Sequence, residues 1–225
     1  MSNLNELWNQ RVANPEALGE GEKKLWNEIE PIINELLEEL KANGKIEISF
    51  TRDEKQQLDN VLDNLTQTGK SLTLLFSLFK DAENSKKFGD VTSEFGFKEN
   101  NWINLLIETI VFHSILNTEI FKLTLLLHLK DVDPKVSRFN STMARFAPIA
   151  WSKLKPYVYS NFRNSLAHGT WALENKQVVL YEDAELIAYE RLDLADLFIK
   201  SKDQNVLFIC LVNVLAEKNK AKFFT

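Results

Sequence analysis

The chain has 225 residues, of which 44% are hydrophobic and 26% charged, an ordinary composition for a water-soluble domain that buries a substantial core. Seven glycines and five prolines are too few for a turn-rich sandwich or barrel, so a mainly helical protein is expected. The only cysteine, Cys210, excludes an intrachain disulfide and a cysteine-based metal site. It lies in the apolar run Val206 to Leu215 and reads as a buried thiol.

Taken in order, Leu4 to Val12 reads as a short helix closed by Asn14-Pro15. Glu20 to Ala42 carries apolar residues at Leu25, Ile29, Ile32, Ile33, Leu36, Leu37 and Leu40. That is amphipathic helical spacing, with Asn43-Gly44 as the stop and Pro31 as a possible kink. Lys45 to Phe50 alternates like a strand. A helix from about Asp53 to Ala82 follows, capped by Thr51 or Asp53 and interrupted near Gly69, with Leu72 to Phe79 as core. Ser85 to Asn100 is the clearest loop. These signals divide the chain into an N-terminal helical extension, residues 1–52, and a helical domain, residues 53–225, with one continuous domain as the alternative.

Trp102 to Lys130 is apolar nearly all round, which predicts a central, buried helix. Glu108, His113, Asn117, Glu119 and Lys122 make it too polar for a simple membrane span. With no secretory signal in Met1-Ser-Asn-Leu-Asn-Glu, a cytoplasmic protein without a membrane partner is expected. Glu108 and Glu119 fall within about 20° of each other on the wheel, so at least one is expected to meet an Arg. His113 and His128 have no second ligand at metal spacing and read as core or surface histidines. No metal or cofactor is expected.

Asp131-Val-Asp-Pro134 ends that helix, and the next, Ser141 to His168, is bent or divided by Pro148 and Pro156. After Gly169 the period changes. Thr170 to Leu173, Gln177 to Glu182 and Glu185 to Arg191 read as strands of a meander, followed by a last helix from Leu194 to about Asn219. The fold class expected is therefore a mainly α helical bundle with a small hairpin or meander before the last helix.

The net charge of -5 alone argues against a nucleic-acid partner, but the distribution does not. Between Pro134 and Leu173 there is no Asp or Glu, while Lys135, Arg138, Arg145, Lys153, Lys155 and Arg163 all fall there. Aromatic residues are interleaved, from Phe139 to Trp171. Cations with planar rings suit single-stranded RNA, and Arg145, Lys153 and Lys155 are the candidate RNA-binding residues. The plain alternative is that most of these rings are core.

Within this segment, Asn161, Asn164, Ser165 and His168 share an arc of about 100°, while Phe162 and Leu166 supply a packing face. Asn164 and His168 are one turn apart, and Arg163 lies about 140° from His168, flanking the stripe. The segment Phe162-Arg163-Asn164-Ser165-Leu166-Ala167-His168-Gly169 resembles the signature of the HEPN superfamily (higher eukaryote and prokaryote nucleotide-binding). In that signature an Arg, a polar residue that is often Asn, and a His lie towards the end of a helix.

The resemblance is close over these residues, loose over roughly 53–225, and covers nothing of the first fifty. It implies a metal-independent ribonuclease whose dimer brings two motifs to a shared cleft. Arg163, Asn164 and His168 would be the catalytic residues, supported by Asn161, Ser165 and Glu119. Toxin–antitoxin, phage-defence and RNA-processing settings are all compatible with it. The chemistry is coherent without the family name. An imidazole moves protons near neutral pH, a guanidinium fork binds the transition-state phosphorane, and two chains supply an acid and a base. The alternatives are a module that binds nucleotide or RNA, or neutralises a partner toxin, without cutting, and a helical scaffold whose polar stripe is only a solvated helix end.

Overall fold

Spacing of apolar residues at helical period produces the first described helix, α1 (Glu20–Ala42), in which Trp26, Ile29, Ile33, Leu36, Leu37 and Leu40 are buried. Pro31 lies inside it and faces outward. The computed structural model describes residues 18–46, 56, 60, 63–64, 67–75, 101–132, 135–174, 177–182 and 187–218. The expected helix at Leu4 to Val12, most of the strand at Lys45 to Phe50 and the loop at Ser85 to Asn100 lie outside them. Residues 67–75 are helical, within the span expected from Asp53 to Ala82.

The chain continues with α2 (Asn101–Leu127), a short 3-10 turn (Val136–Arg138), α3 (Phe139–Phe146), α4 (Pro148–Val158) and α5 (Asn161–His168). Strands β1 (Trp171–Glu174), β2 (Gln177–Tyr181) and β3 (Ala188–Leu192) and a last described helix, α6 (Leu194–Lys218), follow. Among the described residues the protein is thus mainly helical, with one three-stranded antiparallel sheet ordered β1-β2-β3. In α2, residues Leu105–Leu127 are long and apolar enough to cross a membrane, but most of them are buried in the fold, as those of a core helix are.

The expected break at Pro148 occurs, with Pro148 starting α4 at a position where its missing N–H costs nothing. Pro156 lies inside α4, and the chain leaves the helix three residues later, at Tyr159 (φ -118°, ψ 54°). A proline forfeits its own backbone bond and crowds the carbonyl four residues earlier, which weakens the last turn.

Two compact units form, each assembled from separated stretches of chain. The first comprises residues 1–62, 117–161 and 202–225. In it α1 packs on α4, and the core includes Leu36, Leu40, Phe121, Met143, Leu154 and Leu211. Phe121, Phe139, Trp151 and Tyr159 follow one another edge to face, with ring centroids 6.3, 5.1 and 6.2 Å apart. The Glu39 carboxylate of α1 accepts the Ile149 and Ala150 N–H groups at 3.3 and 2.9 Å, so an acid from another helix satisfies the amides that open α4. Asn43 Nδ2 donates to the Phe146 carbonyl at 2.9 Å, and Ile46 pairs with Leu129.

The second unit comprises residues 63–116 and 162–201. Leu72, Leu106, Ile107 and Ile110 join Phe162 and Leu166 of α5, Val178 and Leu180 of β2, Leu192 and Leu197 in its core. Its central strand, β2, buries Val178, Val179 and Leu180 in succession. At the sheet surface the Glu174 carboxylate accepts from Tyr181 Oη at 2.7 Å and Arg191 Nη1 at 2.9 Å. Those two bonds, Tyr181's first, hold its carboxyl below the usual range.

Candidate functional site at the end of α5

Helix α5 is eight residues long and stops where its sequence requires. Gly169 has φ 73°, a left-handed conformation that costs a side-chain-bearing residue about 1 kcal/mol. The Gly169 N–H donates to the Leu166 carbonyl at 3.3 Å and the Thr170 N–H to the Ser165 carbonyl at 2.9 Å. This pair of bonds is the Schellman closure, and it makes His168 the capping residue of the helix.

His168 and Asn161 are exposed, and Arg163 and Asn164 are half-buried. Arg163 Nη1 donates to Asn164 Oδ1 at 3.4 Å, which turns the carboxamide oxygen towards the guanidinium. Phe162 and Leu166 are buried in the core, as their side of the wheel predicts.

Ser165 shares the polar arc in sequence but points into the protein, with only 4% of its surface exposed. Its Oγ donates to the Tyr181 carbonyl at 3.1 Å and lies 3.0 Å from Tyr189 Oη. An α5 side chain is thereby tied to β2 and β3 one turn before His168. Ser165, with Tyr181 and Tyr189, therefore sets the position of the helix end. Sequence periodicity did not reveal the two tyrosines; the alternation of the strands was their only signal.

The other expected site residues belong to the first unit. Glu119 is half-buried and receives Lys122 Nζ from the next turn of α2 at 2.6 Å. Lys122 itself is buried and lies 4.8 Å from the centre of the Tyr159 ring. Lys153 is paired with Glu35 of α1 at 2.8 Å. Lys155 is exposed on α4, and Arg145, also exposed, lies 5.0 Å from the Phe146 ring centre.

The three histidines of the chain separate sharply. His113 and His128 are buried, at 8% and 0% exposure, whereas His168 is exposed. His128 Nδ1–H donates to the Thr124 carbonyl at 2.5 Å. Burial lowers its pKa to about 4, against the smaller opposite effect of that bond, so its ring is neutral at physiological pH. Among the described residues no group of three His, Cys, Asp or Glu is placed to hold a metal.

On α5, then, an accessible imidazole, a carboxamide and a guanidinium stand within six residues of helix, with no carboxylate among them. Such a set can bind a phosphate oxygen and move a proton beside it. Compared with known proteins, the chain matches no family model, no curated protein and no solved structure.

Proposed function

We propose that this protein is a metal-independent endoribonuclease of HEPN type that cleaves single-stranded RNA at a site composed from two chains. The observation that carries the reading is the accessibility of His168, the one exposed histidine of three, at a helix end that also bears Arg163 and Asn164. In this reading a base takes the proton of a ribose 2′-hydroxyl, whose oxygen attacks the adjacent phosphorus. The 5′-oxygen of the next nucleotide leaves with a proton from an acid. The products are a 2′,3′-cyclic phosphate and a 5′-hydroxyl, with no change of oxidation state.

Arg163 would bind the non-bridging oxygens as charge grows on them, and Asn164 would orient the imidazole or an oxygen of the phosphate. With a single accessible imidazole per chain, a second copy supplies the other proton-transfer group, which is why the reading requires a homodimer.

The test is incubation of the purified protein with single-stranded RNA in EDTA, beside His168→Ala and Arg163→Ala. Cleavage ending in cyclic phosphate, and lost in both variants, supports the enzyme. Equal background cleavage by all three proteins overturns it. RNA binding without cleavage turns the reading to a non-catalytic module, whose partner is nucleotide, RNA or a cognate toxin. A strict monomer in solution removes the shared site.

A further inference from the structure

The first unit contains a cleft of about 270 Å³ formed where the chain leaves α2 and runs along α3. Its walls are Asp131, Val132, Arg138, Ser141, Thr142, Arg145 and Phe146. Arg138 and Arg145 are seven positions apart, close to two turns, so they project to one side of the same short run of helix. Both are exposed. Apart from Asp131, which has φ 54°, and its neighbour Val132, the residues lining the cleft lie in the acid-free stretch of the sequence.

The charges of this cleft are held in place. The Phe146 ring has Lys45 Nζ 4.7 Å and Arg145 Cζ 5.0 Å from its centre, so one aromatic ring steadies two cations. The Lys45 main chain is tied to the end of α2, its carbonyl accepting the Lys130 N–H at 2.7 Å. Phe146 is held from behind by the bond from Asn43 to its carbonyl. Ser141 Oγ donates to the Arg138 carbonyl at 2.8 Å, which fastens the turn that carries the first arginine.

We propose that this cleft binds a phosphorylated ribose unit, as a free nucleotide or as one nucleotide of an RNA strand. Two guanidiniums with a lysine beside them recognise a phosphate by forked, charge-assisted hydrogen bonds. The hydroxyls of Ser141 and Thr142 add neutral polar contacts. A carboxylate in the wall disfavours a bare anion but accepts hydrogen bonds from ribose hydroxyls, the role an acidic residue takes beside a nucleotide's sugar elsewhere. The combination of cations with one acid is what separates a nucleotide from inorganic phosphate. The volume suits a ligand slightly smaller than drug size, such as a single nucleotide unit. None of these residues is part of the Arg163–His168 motif; only the choice of RNA as probe rests on the ribonuclease reading.

The experiment uses the full chain carrying His168→Ala, so that no probe is cut. Fluorescence anisotropy measures its binding of a short labelled single-stranded RNA, with adenosine monophosphate, adenosine and inorganic phosphate as competitors. Adding Arg138→Ala or Arg145→Ala is expected to weaken RNA binding by about 10-fold and to lower the salt slope by about 0.7 per arginine removed. Lys24→Ala, on the exposed face of α1, is the control that should change nothing, and circular dichroism checks that all variants fold. Competition by adenosine monophosphate identifies a free-nucleotide site, and its failure alongside arginine-sensitive RNA binding identifies a strand subsite.

Unchanged binding in both arginine variants overturns the proposal, as does a parent protein that binds neither RNA nor adenosine monophosphate. Inorganic phosphate competing as well as the nucleotide also overturns it, because the cleft is then a simple anion site. An inactive wild-type protein with arginine-sensitive binding would end the cleavage reading and leave this site standing.

Discussion

Among the described residues, two helices carry a histidine at their C-terminal end, His128 just after α2 and His168 as the last residue of α5, and the two sit in opposite surroundings. At the end of α2, His128 is fully buried, bonded to the Thr124 carbonyl one turn back, and neutral because burial disfavours its cation. At the end of α5, His168 is exposed on a glycine-closed turn, with Asn164 one turn back and Arg163 beside it. Residue type and helical position are nearly the same. What differs is burial. After α2 the chain pairs Leu129 with Ile46, and the His128 ring is fully buried. After α5 it turns away at Gly169 into a strand, and the ring stays in solvent. Only the histidine that the fold leaves reachable can touch a substrate.

The largest effect expected from this contrast is on activity. His168→Ala should lower the rate of RNA cleavage by about 10²-fold or more while leaving the melting temperature within a few degrees of the parent. His128→Gln should do the reverse, losing stability while its folded fraction keeps the parent's specific rate. If both variants lose activity in proportion to stability, the contrast fails.

Stability against pH sharpens the buried side. The folded pKa of His128 lies below its unfolded value of 6.5, so the unfolded chain binds the proton more readily. The stability associated with the neutral ring is complete above about pH 6.5 and declines as pH falls through about 4, by about 3 kcal/mol at most. Urea unfolding at pH 7 and pH 4.5 should show this loss in the parent and a smaller one in His128→Gln. Equal losses in the two proteins would place the acid sensitivity elsewhere.

Smaller effects concern how the exposed side is held. Ser165→Ala removes the part-buried bonds to the Tyr181 carbonyl and the Tyr189 hydroxyl and should cost about 1–2 kcal/mol, read from the urea midpoint. Because the same bonds set the helix end, kcat should fall further than KM changes, and Ser165→Thr, which keeps the hydroxyl, should recover part of the loss. Gly169→Ala forces a side chain into φ 73° and should cost about 1 kcal/mol. No loss there would show that the turn relaxes and that His168 is less firmly placed than its capping bonds imply.

Much of the fold was legible in the chain. The helix at Glu20–Ala42, the meander after Gly169 and the last helix all follow from a change of apolar period and from stop residues. Within the motif, the packing face at Phe162 and Leu166 was legible for the same reason. Ser165 was not, because a wheel places a residue in a polar arc without saying whether a strand lies across that arc. Nor could composition show that Lys153 is matched by Glu35, or that Glu39 caps α4, since those partners are 118 and 111 residues away in the chain. The arginine pair of the cleft did leave a trace, seven-residue spacing inside an acid-free stretch, but spacing alone does not make a cavity.

By itself, then, the sequence determined the mainly helical class, the meander, the stop at Gly169 and the grouping of Arg163, Asn164 and His168 on one short helix. These depend on local preferences: apolar period, the φ that only glycine adopts freely, and one helical turn between neighbours on a face. Tertiary structure decided which polar groups are buried and which stay reachable, sending Ser165 and His128 inward and leaving His168 outside. That choice rests on desolvation, and desolvation is set by whatever packs alongside a residue, however far away in the chain.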